Sequence, residues 1–149
     1  MANSQTKEKY PIYTSKNEEE THALGKSLAL NLKKGSIVAL YGKLGAGKTC
    51  FAKGLALGLG VQDHVKSPTY TIISEYEGRD FPIYHIDAYR LKSSEDFSMM
   101  GGEEIIFGEG ISIIEWSEII ENLIPEHAIR VYINIMENDE RQIQIKKTE

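Results

Sequence analysis

The pattern of hydrophobic and polar positions predicts a helix near the start of the chain. An apolar stripe with a four-residue period indicates a helix over about residues 16–33, and its members are Leu24, Leu28 and Leu32. Ser15 and Glu18 have the spacing of a capping box, which predicts that the helix begins there. Gly35 follows as a typical helix stop.

Short β-rich runs and further helical segments alternate along the rest of the chain. The predicted strands cover residues 36–41, 70–76, 82–86, 111–114, 130–136 and 142–147. A helix starts near Lys48, another covers about residues 117–123, and residues 95–107 indicate two short helical turns broken at Gly101 and Gly102. The helix from Lys48 contains Gly54 and Gly58, and we expect close packing on a sheet to be the reason for them.

This alternation, followed by a terminal hairpin, predicts an α/β sandwich that is parallel in its centre with an antiparallel edge. The 149 residues fit a single domain over 1–149, with disorder allowed for about residues 1–10.

Composition narrows the function classes. The 17 basic and 22 acidic side chains give a net charge of −5, which disfavours sequence-independent binding of nucleic acid. Apolar runs fall far short of the roughly 20 residues that span a bilayer, and residues 1–9 lack the apolar core of a signal peptide. A single cysteine, Cys50, agrees with a reducing compartment. We therefore expect a cytoplasmic protein without a membrane partner.

The clearest chemical signal is the segment 42–49, which reads Gly-Lys-Leu-Gly-Ala-Gly-Lys-Thr and fits the G-x-x-x-x-G-K-[ST] pattern. It directly follows a predicted buried strand and opens a helix. In such a loop, backbone N–H groups and the helix start cradle phosphate oxygens. Lys48 would reach the β- and γ-phosphates, and Thr49 would bind magnesium. The pattern predicts a P-loop NTPase-like three-layer sandwich that binds a nucleotide with Mg²⁺, and we expect the nucleotide to be ATP.

Two acidic residues end predicted strands and are candidates for the metal. Glu115 follows the apolar run 111–114, as a Walker B carboxylate does, and Asp87 follows the strand 82–86. Carboxylates at the carboxyl edge of a parallel sheet face the crevice in which such folds bind ligands. His85, on the second strand, is either a hydrogen-bonded structural histidine or a catalytic base.

Five segments together resemble the TsaE (YjeE) family, the ATPase of bacterial tRNA threonylcarbamoyladenosine biosynthesis. They are the segments at 44–49 (Leu-Gly-Ala-Gly-Lys-Thr), 67–71 (Ser-Pro-Thr-Tyr-Thr), 85–91 (His-Ile-Asp-Ala-Tyr-Arg-Leu), 102–104 (Gly-Glu-Glu) and 114–116 (Ile-Glu-Trp). The resemblance runs from about Ser15 to the final hairpin. It departs from the common family pattern at Cys50, Ala88, Gly102 and Ser117, none of which is a phosphate or metal position.

The resemblance implies roles for particular residues. Thr49 and Glu115 would hold magnesium, Lys48 would be catalytic, and the loop 67–71 would behave as a switch. Asp87 would be catalytic, either orienting the attacking water or helping to hold magnesium. The residues expected at the nucleotide are Gly42, Leu44, Gly45, Ala46, Gly47, Lys48, Thr49, Cys50, Trp116 and Ser15. Trp116 as core filler remains an equal alternative, and Arg141 has only a weak claim to nucleotide contact.

The same resemblance implies two protein partners, TsaD and TsaB, whose repeated turnover would be supported by ATP hydrolysis. The protein would meet tRNA only through these partners. Two other function classes stay open, a small-molecule P-loop kinase and a GTP-binding switch. The chain contains no Asn-Lys-x-Asp segment for reading guanine and no arginine-rich segment resembling a kinase lid, which favours the ATPase.

Overall fold

The computed structural model describes residues 11–43, 45–62 and 72–147, and these form one seven-stranded sheet with helices packed against it. The strands are β1 (Ile12–Ser15), β2 (Ile37–Tyr41), β3 (Ile73–Glu77), β4 (Pro82–Asp87), β5 (Ile111–Glu115), β6 (Ile129–Ile135) and β7 (Arg141–Lys146). The helices are α1 (Glu18–Ala29), α2 (Lys48–Gly58), α3 (Ser94–Met99) and α4 (Gly102–Ile106), with 3₁₀ helices at Ala88–Arg90 and Ser117–Leu123. The disorder allowed for residues 1–10 and the switch-like loop 67–71 concern residues outside those described.

The order of strands across the sheet is β1-β7-β6-β2-β5-β4-β3. The four central strands β6, β2, β5 and β4 are parallel, while β7, β1 and β3 pair antiparallel at the two sides. The mixed α/β class, the parallel centre and the terminal hairpin are therefore confirmed. The sheet has a second antiparallel edge at β3, formed with β4.

Hydrophobic residues fill the space on both faces of the sheet. All five residues of β2 are buried, and because side chains alternate between faces, Val38 and Leu40 join one core with α1 and α2. Ile37 and Ala39 join the other core, to which Phe97 of α3 belongs. Helices thus cover both faces, which is why the central strands read as continuous apolar runs.

Close approach of α1 and α2 explains the glycines of the second helix. A Cβ atom on Gly54 would overlap the carbonyl oxygen of His22, and one on Gly58 would lie 2.6 Å from the Cβ of Ala29. The sequence-based expectation that these glycines pack on a sheet is wrong, because the partner is the neighbouring helix. The contact fixes the position of α2, whose first turn carries Lys48.

The start of α1 differs from the predicted capping box. Asn17 is the N-cap, and its side chain accepts from the backbone N–H of Glu20 at 2.8 Å. The Glu20 carboxylate accepts in return from the N–H of Lys16 at 2.8 Å. Ser15 instead ends β1, so the reciprocal cap lies two residues later than the Ser15–Glu18 spacing indicated. The helix also ends at Ala29, short of residue 33.

Two further elements differ from the prediction. Strand β1 was not predicted, because three of its four residues are exposed at the sheet edge and leave no apolar run. Residues 117–123 form a 3₁₀ helix with a kink at Ile120 rather than an α-helix. The two short helical turns on either side of Gly101 and the break between them are confirmed as α3 and α4.

Candidate active site

The glycine-rich loop connects the buried strand β2 to α2. Gly42 and Gly47 have φ angles of +153° and +105°, a region that side chains rarely allow. A Cβ on Gly42 would also lie 2.5 Å from the carbonyl oxygen of Ile133 on β6. The loop can therefore follow this path only with glycine at these positions. The first backbone N–H groups of α2 have no partner within the helix and are available to an anion.

Lys48 is the first residue of α2, and its side chain is held at the loop. Its Nζ donates to the carbonyl oxygen of Gly42 at 2.5 Å and lies 3.4 Å from the centroid of the Trp116 ring. Burial lowers the pKa of Lys48, and the charges of Glu118, Glu115 and Asp87 oppose that shift. The ammonium group is thus partly stripped of water beside the loop.

Asp87 and Glu115 occupy the same level at the carboxyl ends of β4 and β5. The two strands are parallel, and the register places Asp87 opposite Glu115. Glu115 is only 3% exposed, and its Oε1 accepts from the Thr49 hydroxyl at 3.0 Å. Its Oε2 lies 2.5 Å from Nε2 of His85. The predicted metal residues Thr49 and Glu115 are therefore in direct contact.

Asp87 also begins the following 3₁₀ turn. Its Oδ1 accepts from the backbone N–H of Tyr89 at 3.0 Å, which fixes the carboxylate at the strand end. Burial raises the pKa of Asp87, Glu115 adds to the rise, and the Tyr89 N–H, His85 and Arg90 act in the opposite direction. The group is a carboxylate whose charge is disfavoured and which would gain from a nearby cation.

Trp116 has the left-handed conformation, with a φ of +59°, directly after Glu115. The indole contacts both Lys48 and Tyr89, and the ring centroid of Tyr89 lies 4.8 Å from that of Trp116. Trp116 is half-buried and lines the site, so it does not serve only as core filler.

One cavity of about 770 Å³ brings most of these residues together. Its lining residues are Glu18, Glu19, His22, Gly45, Gly47, Lys48, Thr49, Cys50, Lys53, Asp87, Tyr89, Glu115 and Trp116. Gly42 and Ala46 lie in the glycine-rich loop but are not among the residues that line the cavity. Leu44 lies outside the described residues, and its nucleotide contact stays a prediction.

Ser15 is not among the residues that line the cavity. It is buried, and its hydroxyl donates to the backbone oxygen of Asn17 at 2.8 Å and lies 2.6 Å from the Thr21 hydroxyl. Its nucleotide contact also stays a prediction. Cys50 lines the cavity, and burial raises the pKa of its thiol, which disfavours the reactive thiolate form.

Several residues that line the cavity were missed by sequence reasoning. Glu18, Glu19 and His22 on α1 are among them, and only the packing of α1 on α2 brings them there. Arg141 at the start of β7 donates from Nε to the carbonyl oxygen of Ala46 at 3.0 Å. From the sequence, Arg141 had only a weak claim to nucleotide contact, because a single arginine after a turn is a common pattern.

The donor set of the site is suited to a hard cation. The Thr49 hydroxyl and the carboxylates of Glu115 and Asp87 are oxygen ligands of the kind that Mg²⁺ prefers. Among the described residues, no group of three or more His, Cys, Asp or Glu side chains could bind a metal ion by itself. A cation at this site would therefore complete its shell with water and ligand oxygens, as Mg²⁺ does beside phosphates.

The fold and the site define a single-sheet α/β protein whose glycine-rich loop and strand-end carboxylates face one cavity. Comparison with known proteins gives the family. The sequence model of the family described as threonylcarbamoyl adenosine biosynthesis protein TsaE matches residues 15–143. The chain belongs to the TsaE family.

Individual relatives agree with that assignment. A protein of Treponema pallidum named tRNA threonylcarbamoyladenosine biosynthesis protein TsaE is 41% identical, over 88% of this chain and 96% of its own. A Bacillus subtilis protein of the same name is 44% identical, over 85% of this chain and 79% of its own. The crystal structure of Bacillus subtilis YdiB superposes with a TM-score of 0.81 at 36% identity, covering 95% of this chain and 87% of that one.

Proposed function

We propose that this protein binds ATP with Mg²⁺ and hydrolyses it, and that hydrolysis supports formation of threonylcarbamoyladenosine in tRNA. One observation carries the proposal: Lys48 and Thr49 at the start of α2 line the same cavity as Glu115 and Asp87 at the ends of two parallel strands. A P-loop NTPase-like three-layer sandwich is the fold class that this arrangement favours.

The phosphate chain would lie over the glycine-rich loop. The free N–H groups at the start of α2 and the positive end of the helix dipole favour an anion there. Lys48 would exchange its contacts with Gly42 and Trp116 for phosphate oxygens, which are stronger acceptors than a neutral carbonyl group. Arg141 would hold the loop from outside through the carbonyl oxygen of Ala46.

The charge of the cavity supports a metal requirement. Its described lining contains four carboxylates, those of Glu18, Glu19, Asp87 and Glu115, but only two lysines, Lys48 and Lys53. A polyphosphate without a counterion would be repelled by this lining. A complex of nucleotide and divalent cation carries less negative charge and is the form that the site would favour.

Hydrolysis would proceed by attack of water in line with the bond to the γ-phosphate. Thr49 and Glu115 would hold Mg²⁺, which when bound supplies positive charge to the phosphoryl oxygens. Lys48 and the loop N–H groups would stabilise the charge that develops in the transition state. Asp87, fixed by the Tyr89 N–H, would orient the attacking water or share the cation.

The family suggests where this activity is used. Its members are named for threonylcarbamoyladenosine biosynthesis, and we infer that the protein acts with TsaD and TsaB. A net charge of −5 agrees with contact to tRNA only through those partners, in the cytoplasm. None of the helices in the described ranges is long and apolar enough to cross a membrane.

The test is ATP hydrolysis by the purified protein, alone and with TsaD and TsaB, run beside GTP. Lys48→Ala is the inactive variant. Lys43→Ala is its matched control, because Lys43 is exposed in the same loop and the G-x-x-x-x-G-K-[ST] pattern does not specify its position. We expect slow Mg²⁺-dependent ATP turnover that changes when the partners are added. Lys48→Ala should abolish it and Lys43→Ala should not.

Other outcomes would select the remaining function classes. A clear preference for GTP would favour the switch. Phosphate transfer to a metabolite, with little transfer to water, would favour the kinase. Robust ATP hydrolysis that is indifferent to TsaD and TsaB would contradict the role in tRNA modification while leaving nucleotide binding intact.

A further inference from the structure

His85 reaches Glu115 diagonally across two parallel strands. The register pairs His85 with Ile113, so Glu115 lies two residues further along β5 on the same face of the sheet. Nε2 of His85 is 2.5 Å from Oε2 of Glu115, and the two residues are buried, at 1% and 3% exposure. A carboxylate oxygen can only accept, so Nε2 carries the hydrogen.

Both oxygens of the Glu115 carboxylate therefore have partners from the chain. Oε1 accepts from the Thr49 hydroxyl, and Oε2 accepts from His85. The carboxylate is held between the first turn of α2 and the middle of the sheet. Thr49 and Glu115 are the two residues proposed to hold Mg²⁺, and His85 fixes Glu115 through the carboxylate oxygen that Thr49 does not contact.

The other ring nitrogen argues against a purely structural histidine. Nδ1 of His85 is buried and has no hydrogen-bond partner among the described residues. A buried polar atom without a partner costs about 1–3 kcal/mol, and an apolar side chain at this position would avoid that cost. The described part of the chain therefore gives the imidazole one polar partner, the Glu115 carboxylate.

We propose that His85 is a positioning residue that orients Glu115 and thereby sets the affinity of the nucleotide site for its divalent cation. The inference rests on the proposed function. With the carboxylate already fixed, cation binding does not have to order it. Without His85, the freed Oε2 allows the carboxylate to turn away from Thr49. Loss of such an outer partner typically weakens metal binding about 10–100-fold.

The experiment measures binding of Mn²⁺ to the complex of the protein with ADP, by the electron paramagnetic resonance signal of free Mn²⁺. His85→Leu removes the donor and should weaken Mn²⁺ binding at least about tenfold. His85→Gln retains an N–H donor and should recover most of the affinity. Ser112→Ala is the control, because Ser112 is buried on β5 and its hydroxyl has no hydrogen-bond partner among the described residues.

A second readout separates positioning from general damage. Affinity for ADP without metal should be unchanged in His85→Leu, and raised Mg²⁺ should restore its ATP turnover toward the wild-type value. Unchanged Mn²⁺ affinity in His85→Leu would overturn the inference. So would an equal loss in His85→Gln and His85→Leu.

Two outcomes need a further comparison. If His85→Leu does not fold, His85→Asn is compared with His85→Gln instead, because the shorter side chain of asparagine cannot reach Oε2 of Glu115. Equal Mn²⁺ affinity in these two variants would overturn the inference. If the wild-type complex binds no Mn²⁺, the proposed function fails and this inference fails with it. Normal wild-type binding with an unaffected His85→Leu variant refutes the positioning role alone.

Discussion

Replacement of Gly54 by alanine tests the contact between α1 and α2, because packing and helix propensity predict opposite signs. Alanine in a helix interior is about 1 kcal/mol more favourable than glycine, so propensity alone predicts a more stable protein. In the structure, the new Cβ would overlap the carbonyl oxygen of His22 and lie 3.0 Å from its carbonyl carbon. Both atoms belong to the backbone of α1, so they cannot be moved by a side-chain rotation.

The expected magnitude follows from these two effects. Forcing an extra methyl group into a packed interior costs about 1–3 kcal/mol, and backbone partners place Gly54→Ala at the upper end. After subtraction of the propensity gain, we expect a net loss of about 2 kcal/mol in the free energy of unfolding. For a chain of this size that corresponds to a fall of roughly 4–8 °C in melting temperature.

The assay is equilibrium unfolding in urea with a parallel thermal scan. Gly58→Ala is a second variant with a milder overlap and should destabilise the protein less than Gly54→Ala. Its Cβ would lie 2.6 Å from the Ala29 side chain and 2.9 Å from the Lys26 carbonyl oxygen. Leu57→Ala is the control in the same helix, because Leu57 is 48% exposed and should change stability little. A Gly54→Ala variant as stable as the wild type, or more stable, would refute the close helix contact.

The remaining predictions concern the site. Thr49→Ala and Glu115→Ala should each lose Mg²⁺-dependent ATP turnover, and wild-type hydrolysis by Glu115→Ala would exclude its metal role. Asp87→Asn should bind ATP but hydrolyse it slowly, measured by phosphate release; unchanged turnover would remove Asp87 from the mechanism. The raised pKa of Asp87 means that the folded state disfavours its charge, so the Asp87→Asn variant should melt at a higher temperature than the wild type at neutral pH. This difference in melting temperature should shrink as the pH falls, because the wild-type carboxyl group then becomes protonated. Arg141→Ala should weaken ADP binding severalfold in calorimetry, because the glycine-rich loop loses its contact at Ala46. Arg141→Lys should recover part of this affinity. Equal ADP affinities in the wild type and both variants would show that the loop is held without Arg141.

Central elements of the fold could be predicted because their determinants are local. Strand β2 is apolar along its whole length, and β5 is apolar except for Ser112 and the terminal Glu115. The glycine-rich pattern that ends at Lys48 and Thr49 lies at the junction of a strand and a helix, where its chemistry requires it. Strand β1 had no such signal, since an exposed edge strand is stabilised by its pairing with β7. The cap of α1 was misplaced because Ser15 and Asn17 are both good N-cap residues, and the strand pairing of Ser15 decides between them.

The site was predictable in its residue types but not in its connections. Asp87 and Glu115 each follow a predicted strand, which identified them singly. Their side-by-side placement depends on the register of β4 and β5. The partners of these residues, including the His85 contact with Glu115, depend on tertiary distances that a one-dimensional pattern does not contain.

The pairing of β1 with β7 also determines how the protein would yield to a mechanical load. The ladder runs from Ile12 opposite Gln144 to Ser15 opposite Arg141. Because the strands are antiparallel, a force that draws the start of β1 away from the end of β7 would open this ladder one pair at a time, as a zipper opens. The pair of Ser15 and Arg141 would separate last, and Arg141 donates to the carbonyl oxygen of Ala46 in the glycine-rich loop. Fraying would therefore begin at the end of the ladder remote from the loop and reach the loop contact only at the final step.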